Sequence, residues 1–233
     1  MNIQIKICGL TSCEDALVAR DAGADYLGFV LYERSPRAVS VEALAAIVPA
    51  LGAGVRAVGV FVNASPAFVR ETAVRCGLAA VQVHGDEPAD GFRAMPVPVW
   101  RAVAVTETGC SPEPAAWPAA RYVADAAAPG RYGGSGTRAD WERAAALAAR
   151  FPLLLAGGLT PLNVADAIRK VRPLGVDVSS GVEQAPGRKS HEAVRAFIGA
   201  ARQAAAWITG EGELGTGNLK LVTGDWELVT GNW

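Results

Sequence analysis

The sequence predicts an α/β fold, a single closed (β/α)8 TIM barrel, and three observations carry that expectation. Eight short apolar runs rich in Val and Leu recur between residues 3 and 179, as buried parallel strands do. Ala-rich amphipathic stretches with helix-start residues separate them. The chain has only 233 residues, so eight units favour closure over the alternative, a doubly wound open sheet.

The runs are Ile3–Cys8, Tyr26–Leu31, Val55–Val62, Ala80–His84, Val99–Val105, Tyr122–Asp125, Leu153–Ala156 and Val176–Ser179. In the first, Ile3, Ile5 and Ile7 alternate with Gln4, Lys6 and Cys8, which puts the isoleucines toward the outer helices and the other three toward the barrel axis. Thr11 with Glu14, and Thr137 with Asp140, read as capping boxes. Ser65-Pro66 and Thr160-Pro161 each place a cap residue before a proline at the first helical position. The helices after the fourth and fifth strands are expected to be short, over Pro88–Arg93 and Pro114–Ala119. Residues 1–209 form the barrel domain in this reading. Residues 210–233 are a separate tail that repeats LVTGDW as LVTGNW, and it is a hairpin, a disordered appendage or a duplicated scrap of coding sequence.

Composition narrows the function classes. Lys plus Arg number 22 against 23 Asp plus Glu, so charge gives no reason to expect nucleic acid or a membrane surface as partner. The hydrophobic fraction of 51% argues against disorder. Four cysteines without CxxC spacing make no disulfide framework, and two histidines support no zinc site. No apolar run approaches the ~20 residues of a membrane span, and the N-terminus lacks signal-peptide anatomy, so a cytoplasmic location is expected.

In such a barrel the active site lies where the strands end. Cys8 ends the first strand facing inward, as a small buried core residue, the commoner case for cysteine, or as a reactive thiol. Gln82 and His84 face inward from the fourth strand, Asp125 ends the sixth, and Asp177 and Ser179 share the inward face of the eighth. An acid at Asp125 is costly to bury unless it is hydrogen-bonded or functional. Three glycine-rich turns follow the late strands: Gly133-Gly134-Ser135-Gly136, Gly157-Gly158, and Ser179-Ser180-Gly181. Two such turns in adjacent late units point to a phosphorylated ligand, because glycine lets backbone N–H groups approach an anion. After the second strand, Pro36 stiffens a turn from which Arg37 can reach the mouth as a fork for a carboxylate, or can sit solvated on the surface.

KICGL at 6–10, GFV with SPR across 28–37, QVHGDE at 82–87, Asp125 followed by GGSG at 133–136, Asp140-Trp141, AGGLTPLNV at 156–164 and GVDVSSGVE at 175–183 occur in one order. In these stretches the chain resembles the phosphoribosylanthranilate isomerase family over about residues 3–205. Departures are small: Val83 stands where Leu is usual, and Ala139 where an aromatic often precedes Asp-Trp. The tail from 210 has no counterpart. The resemblance implies an Amadori rearrangement in tryptophan biosynthesis, from N-(5-phospho-β-D-ribosyl)anthranilate to 1-(2-carboxyphenylamino)-1-deoxy-D-ribulose 5-phosphate, with no cofactor and no metal. It implies Cys8 as general base, Asp125 as general acid and Arg37 on the anthranilate carboxylate. Gly134, Gly136, Gly157, Gly158, Ser180 and Gly181 are then the phosphate turns, with Gln82, His84 and Asp177 also facing the substrate. The expected partner is this small phosphorylated molecule, for a monomer or homodimer. A base at Cys8 is expected to have its pKa lowered by Lys6 or Arg37. Two other phosphate-binding barrels fit less well. Indole-glycerol-phosphate synthase needs a catalytic lysine and glutamate at strand ends, whereas only Lys6 of the four lysines is expected to face the barrel. The bifunctional histidine/tryptophan isomerase has an aspartate where this chain has Cys8. A non-catalytic phosphate binder on the same fold is the reading from another class.

Overall fold

The computed structural model describes residues 2–106, 109–126 and 140–209. Strands β1 (Gln4–Ile7), β2 (Tyr26–Val30), β3 (Ala57–Phe61), β4 (Ala80–Val83) and β5 (Val99–Thr106) precede a short β6 (Gly109–Ser111). Then come β7 (Arg121–Ala126), β8 (Leu153–Leu155), β9 (Gly175–Val178), β10 (Glu183–Ala185) and β11 (Arg188–Lys189). Eight of these pair in parallel in the ring order β1-β2-β3-β4-β5-β7-β8-β9, and the β1–β9 pairing closes it. The closed barrel expected from the eight runs is therefore present, and the open sheet is excluded.

The two-residue period of the strands separates two apolar cores. Ile5 and Ile7 point outward with Phe29, Val83, Leu155 and Val176 into the shell between barrel and helices. Tyr26, Val58, Ala80, Trp100, Val123, Leu154 and Ala156 pack together inside the barrel. There the ring of Tyr26 meets Trp100 edge-on at 4.8 Å. The interior is a filled core, so a ligand can enter only at the mouth.

Helices α1 (Cys13–Asp21), α2 (Val41–Ala50), α3 (Pro66–Arg75), α4 (Trp141–Ala148), α5 (Val164–Val171) and α6 (His191–Thr209) cover the outside. Ser65 caps α3 by accepting from Phe68 N–H at 3.2 Å, with Pro66 at the first position as expected. The other starts differ. Ser12, not Thr11, caps α1, because the Thr11 hydroxyl donates instead to the Gly187 carbonyl at 2.6 Å. Asp140 is itself the cap of α4, accepting from the N–H groups of Glu142 and Arg143, and Thr137 lies outside the described residues. Thr160-Pro161 forms a turn before α5, which begins only after Asn163. Two units lack a full α-helix among the described residues. A single 3-10 turn, Ala89–Phe92, follows β4, and after β5 the chain folds back as antiparallel β6.

Candidate active site

Cys8, Arg37, Gln82, His84, Asp125, Gly157, Gly158, Asp177, Ser180 and Gly181 all line one cavity at the C-terminal ends of the barrel strands, with about 810 Å³ of space that opens to solvent. Gly134 and Gly136 lie outside the described residues. The cavity adds residues the sequence reading did not single out: Tyr32, Ser35 and an apolar wall of Val30, Val60 and Val62.

On the β1 side, Lys6 is fully buried and its Nζ donates to Gln82 Oε1 and to Asp177 Oδ2, both at 2.8 Å. Gly28 on β2 makes room for this pair. A Cβ there would stand 2.8 Å from Cys8 Sγ and 2.9 Å from Lys6 Cε. Burial pushes the Cys8 thiol above its ordinary range, and the Lys6 and Lys189 charges only partly offset this. The direction is opposite to the expected lowering of the thiol. Burial of the sulfur beneath the strand ends disfavours the thiolate more than the two ammonium groups favour it, and each of these already faces a carboxylate, Asp177 or Glu183.

A directed chain of polar groups crosses from Lys6 toward β7. Lys6 can only donate, so it fixes the Gln82 oxygen toward itself and turns the Gln82 amide NH2 toward His84 Nδ1, 3.3 Å away. His84 Nδ1 must then accept, which leaves the proton on Nε2, facing Asp125 Oδ2 at 4.0 Å. Burial, helped by the Lys6 and Arg101 charges, lowers the His84 pKa to about 3, so the ring is neutral at physiological pH. The turn after His84 is held from behind. Glu87 accepts from Gly85 N–H at 2.8 Å and from Arg101 at 3.2 Å.

The Arg37 guanidinium forks onto Glu183, Nε to Oε1 at 2.8 Å and Nη2 to Oε2 at 2.7 Å. Lys189, from β11, donates to the same Glu183 Oε1 at 2.8 Å and to the Ser179 carbonyl at 3.1 Å. So Lys6 is not the sole lysine at the site, although Lys189 arrives from a hairpin rather than a barrel strand. The sequence signals available for these two were Glu183 at the end of GVDVSSGVE and a lysine beyond a Pro-Gly turn, and neither indicates which residue it meets.

The pattern described as N-(5'phosphoribosyl)anthranilate (PRA) isomerase matches residues 5–200. A Geobacter sulfurreducens N-(5'-phosphoribosyl)anthranilate isomerase is 48% identical over 205 residues, covering 88% of this chain and all of that protein. The chain belongs to the PRA isomerase family. Among solved PRA isomerases, the crystal structure of monomers of dimeric phosphoribosylanthranilate isomerase from Thermotoga maritima gives a TM-score of 0.73 at 38% identity, over 86% of this chain and 98% of that one. Another, in complex with reduced 1-(o-carboxyphenylamino)-1-deoxyribulose 5-phosphate, gives 0.73 at 37% identity with the same coverage.

Against that family frame, the late turns make structural sense. Gly157 and Gly158 adopt φ of +79° and +63°, the left-handed region that glycine enters without strain. Asn163 braces this turn, donating to the Gly158 carbonyl at 2.9 Å and accepting from Thr160 N–H at 2.8 Å. At Gly181 a side chain would collide with the Leu159 carbonyl, so the turns after β8 and β9 abut backbone to backbone. Among the described residues, Asp177 Oδ1 and Ser179 Oγ are buried beside them without a hydrogen-bond partner.

Proposed function

We propose that this PRA isomerase rearranges its substrate with Cys8 as general base and Asp125 as general acid, between two anion-holding ends. The aldose-to-ketose Amadori rearrangement of tryptophan biosynthesis begins with ring opening. Asp125 gives a proton to the furanose oxygen as its bond to C1′ breaks, leaving an iminium. The C2′ proton is then acidic, and the Cys8 thiolate removes it to give an enolamine that tautomerises to the ketone. Each such proton transfer contributes about 10²–10⁴-fold. Arg37 takes the anthranilate carboxylate, the valine wall takes the aromatic ring, and the glycine turns at 157–158 and 180–181 take the phosphate. Asp177 Oδ1 accepts from a sugar hydroxyl, and His84, with its Nε2 proton toward Asp125, keeps that acid aimed.

The observation that supports this reading is one cavity receiving Cys8 and Asp125 from strands three apart in the ring, with Arg37 and the glycine turns on its rim. Cys8→Ala and Asp125→Ala are each expected to lower kcat by at least about a hundredfold with the fold intact. Loss of substrate fluorescence measures the first and circular dichroism the second. Substantial turnover by either purified variant would remove that residue from its role. The expected assembly is a monomer or a homodimer, and the Thermotoga maritima relative is described as dimeric. Cytoplasmic residence fits the four free cysteines. Among the described residues, no helix is long and apolar enough to cross a membrane.

A further inference from the structure

Glu183 performs no step above, yet its carboxylate sits against the residue assigned to the substrate's carboxylate. Two carboxylates competing for one arginine would be a poor arrangement unless they use different edges of it. The fork described above occupies Nε–H and one Nη2 proton of Arg37. The remaining edge, Nη1 with the other Nη2 proton, is a second bidentate donor pair. Arg37 lines the cavity, so that edge is the one available to a ligand.

We propose that Glu183, locked by Lys189, is a positioning residue that turns Arg37 end-on to the anthranilate carboxylate. This rests on the carboxylate reading of Arg37. Three features argue for a fixed device. The side chains of Arg37, Glu183 and Lys189 retain only 13%, 5% and 0% of their exposure. One cation on each side of one anion leaves a single net positive charge, the complement of one carboxylate. The Arg37 stem runs tightly over Gly9, where a Cβ would stand 2.6 Å from its Cδ, so the arginine has little room for another path. The hairpin that carries Glu183 and Lys189 is itself tied to the start of α1. Thr11 donates to Gly187, and Lys189 N–H donates to Asp15 Oδ2 at 3.0 Å.

Simple electrostatics makes the opposite prediction, because deleting a negative charge beside Arg37 should tighten binding of an anion. The test uses the full-length chain with reduced 1-(o-carboxyphenylamino)-1-deoxyribulose 5-phosphate and its analogue lacking the ring carboxylate, by titration calorimetry. Glu183→Gln and Glu183→Asp are both expected to weaken the carboxylate ligand about tenfold or more, since a tethered charged partner is lost or withdrawn. The analogue should bind either variant as it binds wild type, and KM for PRA should rise with kcat little changed. In an Arg37→Ala background, Glu183→Gln should add nothing further. Unchanged or tighter binding of the carboxylate ligand by both variants overturns the proposal. So does equal weakening of both ligands, or weakening that persists without Arg37. If Glu183→Gln does not fold, Glu183→Asp keeps the charge and decides. If Arg37→Ala alone fails to discriminate between the two ligands, the carboxylate reading of Arg37 falls, a result distinct from failure of the Glu183 proposal.

Discussion

A thiol asked to act as a base inside a barrel faces two opposed influences, and the residues around Cys8 show which prevails. Burial raises it, Lys6 and Lys189 lower it, and the net direction is up. A raised thiol is sparsely ionised at neutral pH, but each thiolate that forms is the stronger base. The rate of Cys8 alkylation by iodoacetamide in the empty enzyme should therefore rise with a midpoint above the ~8.5 of a free thiol. A midpoint below that value would mean that the two ammonium groups dominate. Lys6→Met should move the midpoint further up. It should also cost about 3–5 kcal/mol of stability, because Asp177 is left as an uncompensated buried charge. His84 gives a second titration at this scale. Its folded pKa of about 3 lies below the ordinary 6.5, so between those values the unfolded chain binds a proton that the folded chain does not. This contribution to stability is fully present above pH 6.5 and is lost as pH falls toward 3. Urea unfolding of His84→Gln across this window should show a shallower decline than wild type. A parallel decline would mean that His84 is not held neutral.

At the scale of elements, the strands were legible and the connections were less so. Ile3, Ile5 and Ile7 against Gln4, Lys6 and Cys8 already specify which face of β1 is inside, because a strand's period is fixed at two residues. The same rule correctly turned Gln82, His84 and Asp177 into the mouth. Three things escaped it. The α1 cap lies at Ser12, one residue beyond the expected Thr11, since both are competent caps and Gly187, distant in sequence, engages Thr11. The Cys8 shift runs opposite to the expected lowering, because a lysine two residues away is visible in sequence whereas burial is a property of the folded chain. Glu183 and Lys189 were missed because the β10–β11 hairpin, not a barrel strand, delivers them. The caps allow a direct check by chemical denaturation. Ser12→Ala should lose a helix cap worth about 1 kcal/mol with little effect on ligand affinity. Thr11→Val should leave α1 capped but loosen the hairpin, raising KM for PRA more than it lowers the unfolding midpoint. Equal effects of the two substitutions would mean that Thr11 is only another cap.

At the scale of the whole molecule, the site and the closure of the barrel both fall within residues that the family accounts for. The family pattern ends at residue 200, and the Geobacter relative is matched along its whole length by 88% of this chain. Helix α6 runs to Thr209 and buries Val194, Phe197, Ile198 and Ala201 in the outer core, next to the β1–β9 seam that completes the ring. Removing part of α6 would expose that seam, whereas stopping at Thr209 leaves every buried residue of the helix in place. Residues 210–233 repeat one short Trp-containing phrase and carry none of the groups assigned a chemical role. A chain ended at Thr209 is therefore expected to keep kcat and KM for PRA within about twofold of the full-length protein. Its unfolding free energy should change by no more than the ~0.5 kcal/mol typical of changes away from a core. A chain ended at residue 192 should fail to fold, since it lacks nearly all of α6. Loss of activity on ending at Thr209, with the fold preserved by circular dichroism, would assign the repeated tail a part in catalysis and break the division of the chain at residue 209.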